Sequence, residues 1–178
     1  VHRLVRIALA GGQRQVLAEG ADFYASPSMS PDGGSLAWIE WDRPHQPWTH
    51  TRLMYREGDQ PARCVSAAAS QQQPRFDAAG RLGCLSDEAG FWQPWVLAAG
   101  GWAVQPAPAA DHAGAPWQLG ASTWLPMAEG QYLATWFEDG FARLGLRHTN
   151  GTLDDYSGDF TRFRSLGIDE HHVYAIAS

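Results

Sequence analysis

At 178 residues the chain is long enough for one well-filled core, so a single domain is expected. Its residues are 44% hydrophobic and 18% charged, and nine are tryptophan, a composition of folded, strand-rich proteins that excludes a disordered chain. A net charge of −6 argues against a nucleic-acid partner, and no apolar run approaches the roughly 18 residues of a membrane-spanning helix.

The chain opens on Val1 with no basic n-region followed by an apolar h-region, so no signal peptide is expected and the reading is a cytoplasmic protein, or a piece of a longer one. Cys64 and Cys84 are too few for a disulfide framework or a four-ligand zinc site. Two reduced, buried thiols are expected, with a Cys64–Cys84 bridge as the alternative.

Along the chain, short aromatic and aliphatic runs alternate with turn signals. "LVRIAL" and "QRQVLAE" flank Gly11-Gly12. Next come "PSMSPDGGSLAW" around Gly33, "TRLMYRE" before Gly58-Asp59, and "PRFDAAGRLGCL" around Gly80. "WVLAAG" leads to Gly100-Gly101. "YLATWF" follows Gly130, "RLGLRH" precedes Asn150-Gly151, and "VYAIAS" closes the chain beyond Asp169. Each run reads as a strand, and the Gly-containing pairs suit the positive φ of two-residue hairpin turns. No window shows a helical period.

The turns form two interleaved series. Pro27 and Pro74, Met29 and Phe76, and Gly33 and Gly80 stand at a common offset of 47 residues. A repeat of 40–50 residues holding four short strands is the signature of a β-propeller blade. If the strands are named A to D, Gly33-type turns join A to B and Gly11-type turns join C to D. The predicted fold is therefore all-β, an incomplete propeller of antiparallel blades. It comprises half a blade (about 1–20), three blades (21–66, 67–107 and 108–157) and half a blade (158–178). The two halves either pair into one composite blade or belong to a larger ring, with open edges that invite a homo-oligomer.

The run "YASPSMSPDGGSLAWIEWDRPHQPWTHTRLMY" resembles the propeller of the prolyl oligopeptidase family of serine peptidases, in its dipeptidyl-aminopeptidase and acylaminoacyl-peptidase-like branch. The following "QPRFDAAGRLGCLSDEAGFWQPW" resembles that family's next blade but lacks its Ser-Pro-Asp-Gly. The likeness is strongest from Tyr24 to Trp95 and weak after Gly130. Such blades also occur in TolB-type propellers and in several lyases, and the Trp38, Trp41 and Pro47-Trp48 combination favours the peptidases. The resemblance implies a propeller of about seven blades that caps a separate α/β-hydrolase domain and filters peptide access to it. It implies no cofactor, and as partners the hydrolase domain of the parent protein and a peptide substrate. The alternatives are a TolB-like protein-binding module and a propeller lyase acting on sugars.

Catalysis in this chain is not expected. No G-x-S-x-G elbow occurs, and the nearest candidate, Ser122 in "LGASTW", lacks the second glycine. His171 and His172 are neighbours that a strand would point to opposite faces. Asp42, His45 and His50 share a loop whose spacing is not that of a zinc site, so no metal is expected. "NGT" at Asn150 matches a glycosylation sequon, but a hairpin tip explains it.

In an antiparallel blade the A–B and C–D turns share one face of the disc, and the longer B–C and D–A connections share the other. Those connections are read as Asp42–His50, Ser66–Gln73, Asp87–Phe91, Gln105–Ala121 and Asp154–Thr161. Binding residues concentrate on such loops. The first is an insertion: 25 residues separate Gly33 from Gly58, against 20 between Gly80 and Gly100 and 21 between Gly130 and Gly151. The expected substrate or partner contacts are therefore Asp42, Arg43, His45, Trp48 and His50, joined by the loop aromatics Phe91, Trp92 and Trp117. Trp38, Phe76, Leu85 and Trp136 are expected to pack between blades, and Trp95 is grouped with the loop aromatics.

Overall fold

The computed structural model describes residues 1–169 and 171–178. The runs of aromatic and aliphatic residues form strands, all paired antiparallel, and the glycine pairs form the turns between them. β1 (Arg3–Ile7) and β2 (Arg14–Glu19) make a two-stranded sheet. Three four-stranded sheets follow. The first holds β3 (Phe23–Met29), β4 (Ser35–Trp41), β5 (Arg52–Glu57) and β6 (Arg63–Ser66). The second holds β7 (Gln71–Phe76), β8 (Leu82–Ser86), β9 (Gln93–Ala98) and β10 (Gly101–Val104). The third holds β11 (Trp124–Pro126), β12 (Tyr132–Glu138), β13 (Phe141–Arg147) and β14 (Leu153–Asp155). β15 (Phe163–Ile168) and β16 (Val173–Ala177) close the chain as another pair. In each four-stranded sheet the spatial order follows the sequence. This is the expected incomplete propeller: half a blade, three blades, half a blade.

The A–B turns repeat one hydrogen-bond pattern with different side chains. In the first blade the Ser30 amide donates to the Ser35 carbonyl at 2.9 Å, and the Ser30 hydroxyl donates to Asp32 Oδ1 at 2.6 Å. In the second, Asp77 stands at the place of Ser30. Its amide donates to the Arg81 carbonyl, and its carboxylate accepts from the amides of Ala79 and Arg81 at 2.9 Å each. The blade that departs from Ser-Pro-Asp-Gly thus keeps the turn by moving the carboxylate to its first residue.

Strand A carries a repeated bulge. Ser26, Gln73 and Ser165 adopt left-handed backbone conformations, with φ of 52°, 53° and 57°. The ladder skips a step there, between Ala25 and Ser28, Gln72 and Arg75, and Arg164 and Gly167. A bulge frees backbone groups from the ladder, and at the second and third of these an adjacent blade takes them up. Trp124 Nε1 donates to the Gln73 carbonyl at 3.0 Å. At the following junction the Leu166 amide donates to the Ser122 carbonyl at 2.8 Å, and the Ser122 hydroxyl donates to the Leu166 carbonyl at 2.6 Å. Ser122 is thus occupied as a tie between blades.

Apolar cores fill the spaces between sheets. Ala37, Ile39, Trp41 and Leu53 meet Leu82 and Cys84 of the next blade. Leu85 on the opposite face of that blade meets Trp124, Tyr132 and Ala134. Leu125, Leu133 and Leu144 then meet Phe163 and Leu166. Adjacent residues of one strand therefore serve different cores, as the period of two requires. Each fully buried leucine contributes about 1.5–3 kcal/mol. Trp38, Leu85 and Trp136 are buried as expected, and Phe76 packs half-buried against the first core.

Four expectations need correction. Gln71, Gln72 and Gln73 are not loop but the buried start of β7, because they lie one period after Tyr24, Ala25 and Ser26 of β3. Trp95 lies within β9 and stacks on Trp102 with ring centroids 5.9 Å apart. Not every B–C connection is long: β12 and β13 are joined tightly through Asp139-Gly140, with φ of 51° and 84°. Cys84 is a buried free thiol, but Cys64 is free and exposed, since β6 is the outer strand of its sheet.

Gly83 in β8 is the tightest point of the second core. A Cβ there would meet Trp124 Cη2 and the Trp95 carbonyl oxygen, each at 2.8 Å. Gly83→Ala should lower stability by about 1–3 kcal/mol, the range for overpacking, read from urea unfolding. An unchanged midpoint would show that Trp124 shifts freely and does not lock the blades.

Candidate functional site

The insertion between β4 and β5 is knitted to the blade at its base. Asp42 accepts the Asp22 amide at 2.8 Å and pairs with Arg52 at 2.8 Å. The Asp22 amide first, and Arg52 second, hold the Asp42 carboxyl below the usual carboxylate range. The Arg43 amide donates to Asp22 at 3.0 Å, while its guanidinium sits 5.6 Å over the Phe23 ring. Thr49 and Gln46 close a local turn through their backbone and the Thr49 hydroxyl. The His45 and His50 rings lie 4.8 Å apart. Among the described residues no group of three His, Cys, Asp or Glu side chains is placed to hold a metal.

At its far end the loop reaches the next blades. The Ser70 hydroxyl donates to the Pro47 carbonyl at 2.7 Å. Trp48 meets Trp117 with ring centroids 4.0 Å apart. Two expected contact residues some seventy positions apart are thus brought together, because the insertion and the β10–β11 connection lean over the same inner strands. Trp117 is 73% exposed, and Leu119 beside it 77%.

The β10–β11 connection is firmly tied in its first two-thirds. The His112 amide donates to the Trp92 carbonyl at 2.8 Å, and Asp111 accepts the Trp92 amide at 3.0 Å. The Thr135 hydroxyl donates to the His112 carbonyl at 3.3 Å, and Gln72 Nε2 to the Gly114 carbonyl at 3.1 Å. Trp92 packs against the Leu85–Trp124 core. Its place is therefore to hold the connection, away from the Trp48–Trp117 pair. Phe91 is exposed on its own short loop.

Between the two loops lies a small cavity of about 40 Å³. Ile39, Trp41, Pro47, Pro116 and Leu119 give it apolar walls. Gln71, Gln72 and Gln73 form its polar side, and no charged residue lines it. Gln71 is fixed by Thr51, whose hydroxyl accepts the Gln71 amide at 2.7 Å and lies 3.0 Å from its side-chain oxygen. Gln73 exchanges hydrogen bonds of 2.9 Å with Thr123, through both ends of its amide. Such a cavity suits an uncharged, largely apolar group whose few polar atoms meet amides. Asp42, Arg43, His45 and His50 lie outside its lining. The sequence reading missed Gln71–Gln73, Pro116 and Leu119. The 47-residue offset that sets "QQQP" on "YASP" was the signal for the glutamines.

No protein-family model matches the chain, and no curated protein sequence does. Among solved structures, a puromycin hydrolase superposes with a TM-score of 0.81 at 25% identity over 92% of this chain. A puromycin-hydrolyzing peptidase of Mycobacterium tuberculosis does so with 0.82 at 27% identity, again over 92%. The chain is thus similar, in fold and in sequence, to a propeller segment of these two peptidases. It spans 26% and 27% of the length of those two proteins. The tricorn protease, with a TM-score of 0.64, and TolB from Acinetobacter baumannii, with 0.60, share the fold at 15% identity each. In this propeller segment the cavity lies where the inner strands meet the longest connections.

His112 is the buried titratable group of that connection. Burial pulls its pKa down to about 4, and its Nδ1 lies 2.9 Å from the Ala110 carbonyl, which fixes the neutral tautomer. The unfolded imidazole protonates near its ordinary value, so the folded state loses stability as pH falls from about 6.5 to about 4, by up to about 3 kcal/mol. Urea midpoints across that range should therefore fall more steeply in the native chain than in His112→Gln. Parallel curves would show that His112 is not held neutral by the fold.

Proposed function

We propose that the chain gates a serine peptidase: its loop face meets short peptides on their way to a separate α/β-hydrolase domain. The observation that carries this reading is the 25–27% identity over 92% of the chain to two puromycin-hydrolysing proteins, a likeness of sequence as well as fold. The charge-free cavity between Pro47 and Pro116, next in sequence to Trp48 and Trp117, supports a substrate-facing role, since rigid loops over a fixed scaffold are suited to selecting among flexible peptides. Catalysis is assigned to the partner domain. This sequence holds no G-x-S-x-G, and the Ser122 hydroxyl is engaged by Arg75 Nη2 at 2.9 Å and by the Leu166 carbonyl, with no histidine acting as its base. The reading places the protein in the cytoplasm. Exposed apolar residues on β1 (Val5, Ile7) and β16 (Tyr174, Ile176) support association with a further chain at those outer sheets.

The purified chain should not hydrolyse aminoacyl or peptidyl nitroanilides, and the reading frame that encodes it should carry a G-x-S-x-G elbow downstream. Serine-reagent-sensitive turnover by the chain alone, or a frame without the elbow, overturns the reading. In the parent enzyme, Trp48→Ala should raise KM for peptides about tenfold, as loss of a buried aromatic anchor does, and leave hydrolysis of a small activated ester unchanged. An equal effect on both substrates would move Trp48 from gating to folding.

A further inference from the structure

Residues 118–121 have a cavity on each side. One is the charge-free cavity described above. The other is an open cleft of about 450 Å³ between residues 118–123, which lead into β11, and the β15–β16 pair. Its lining differs in kind: the hydroxyls of Ser122, Thr123 and Ser165, the amide of Gln118, and the guanidinium of Arg164, flanked by Leu119 and Ile176. No acidic residue lines it.

Arg164 lines this cleft without a counter-ion, and a second arginine lies behind its wall. Arg164 is exposed and makes no ion pair or side-chain hydrogen bond among the described residues. Arg75, on the inner strand β7, reaches the cleft wall from behind. Its Nη2 donates to the Ser122 hydroxyl, its Nε is buried without a partner, and burial lowers its pKa. A guanidinium removed from water without a carboxylate is costly, and arginine's planar fork matches a carboxylate in particular. In a chain of net charge −6, an acid-free cleft lined by an unneutralised arginine stands out.

We infer that this cleft binds a carboxylate at Arg164, beside the hydroxyls of Thr123 and Ser165, and that the ligand is the C-terminal carboxylate of a short peptide. Leu119 and Ile176 on its rim, and the apolar cavity across residues 118–121, favour a carboxylate that carries apolar side chains over a bare anion. The choice of a peptide rests on the peptidase reading. The carboxylate site itself rests only on Arg164 and the acid-free, hydroxyl-bearing lining around it.

The test is calorimetry on the 178-residue chain with N-acetyl-Leu-Leu, its C-terminal amide, and acetate. The acid should bind saturably and at least about tenfold more tightly than the amide, the difference a charge-assisted hydrogen bond supplies. Arg164→Gln should lower affinity for the acid about tenfold and leave that for the amide unchanged. Because Arg164 is exposed, that variant should keep the native unfolding midpoint, whereas Arg75→Gln is informative only if its midpoint holds. Equal binding of acid and amide, no saturable binding of either, or an unaffected Arg164→Gln overturns the site. If acetate binds as tightly as the peptide acid, the carboxylate site stands and its assignment to peptides is overturned. The gating reading is decided separately, by the reading frame and the nitroanilide assays.

Discussion

The structure depends on a single constraint: each four-stranded sheet must bury both of its faces against neighbouring sheets. A lone sheet of this length would leave one apolar face in water. Here Leu82 and Cys84 of β8 serve one core while Leu85, one residue on, serves the next. Strand residues are therefore apolar on both faces, and the hydrophobic pattern looks continuous where a half-exposed sheet would alternate. The same constraint makes Gly83 necessary. The indole of Trp124 lies where a side chain on β8 would otherwise stand.

Face-to-face packing alone does not fix how far one blade slides along the next, because apolar contacts are not directional. The strand-A bulges supply direction. Each removes backbone groups from its own ladder, and at the Gln73 and Ser165 bulges Trp124 Nε1 and the Leu166 amide complete hydrogen bonds across the junction. Blade register is thus set by bonds made at one repeated position. The left-handed backbone at Ser26, Gln73 and Ser165, held by non-glycine residues, is the strain that accompanies this arrangement.

What was legible in the sequence follows from which features recur. The A–B and C–D turns need positive φ at fixed places, so glycine marks them and the 47-residue offset can be counted. The insertion at Asp42–His50 was legible as a departure from that count. Gln71–Gln73 were not, because three consecutive polar residues read as a loop unless their bulge and the Thr51 and Thr123 partners are known. Asp139-Gly140 was missed for the opposite reason: it is a tight turn at a place where the other blades carry long loops. The meeting of Trp48 with Trp117 depends on how two connections lean in space, and no local pattern encodes that. The pairing of Asp42 with Arg52 is similar, since it crosses between β5 and the end of β4 and is fixed only once the strands are in register.

The two kinds of cleft beside residues 118–121 show how the fold separates stability from recognition. The walls that come from strands, such as Ile39, Trp41 and Gln71–Gln73, are fixed by interblade packing and by buried hydrogen bonds. The rims that come from connections, Pro47, Pro116 and Leu119, are fixed only by the tethers of their loops: Ser70 to Pro47, and Gln72 to Gly114. Substitutions at the rim can change what a cleft admits without disturbing a core. Substitutions in the floor act on both at once, because Gln73 belongs to the cavity through its side chain and to the blade junction through its carbonyl. A change in selectivity without loss of stability is therefore expected to arise at the rim, beside which the rings of Trp48 and Trp117 meet across the two connections.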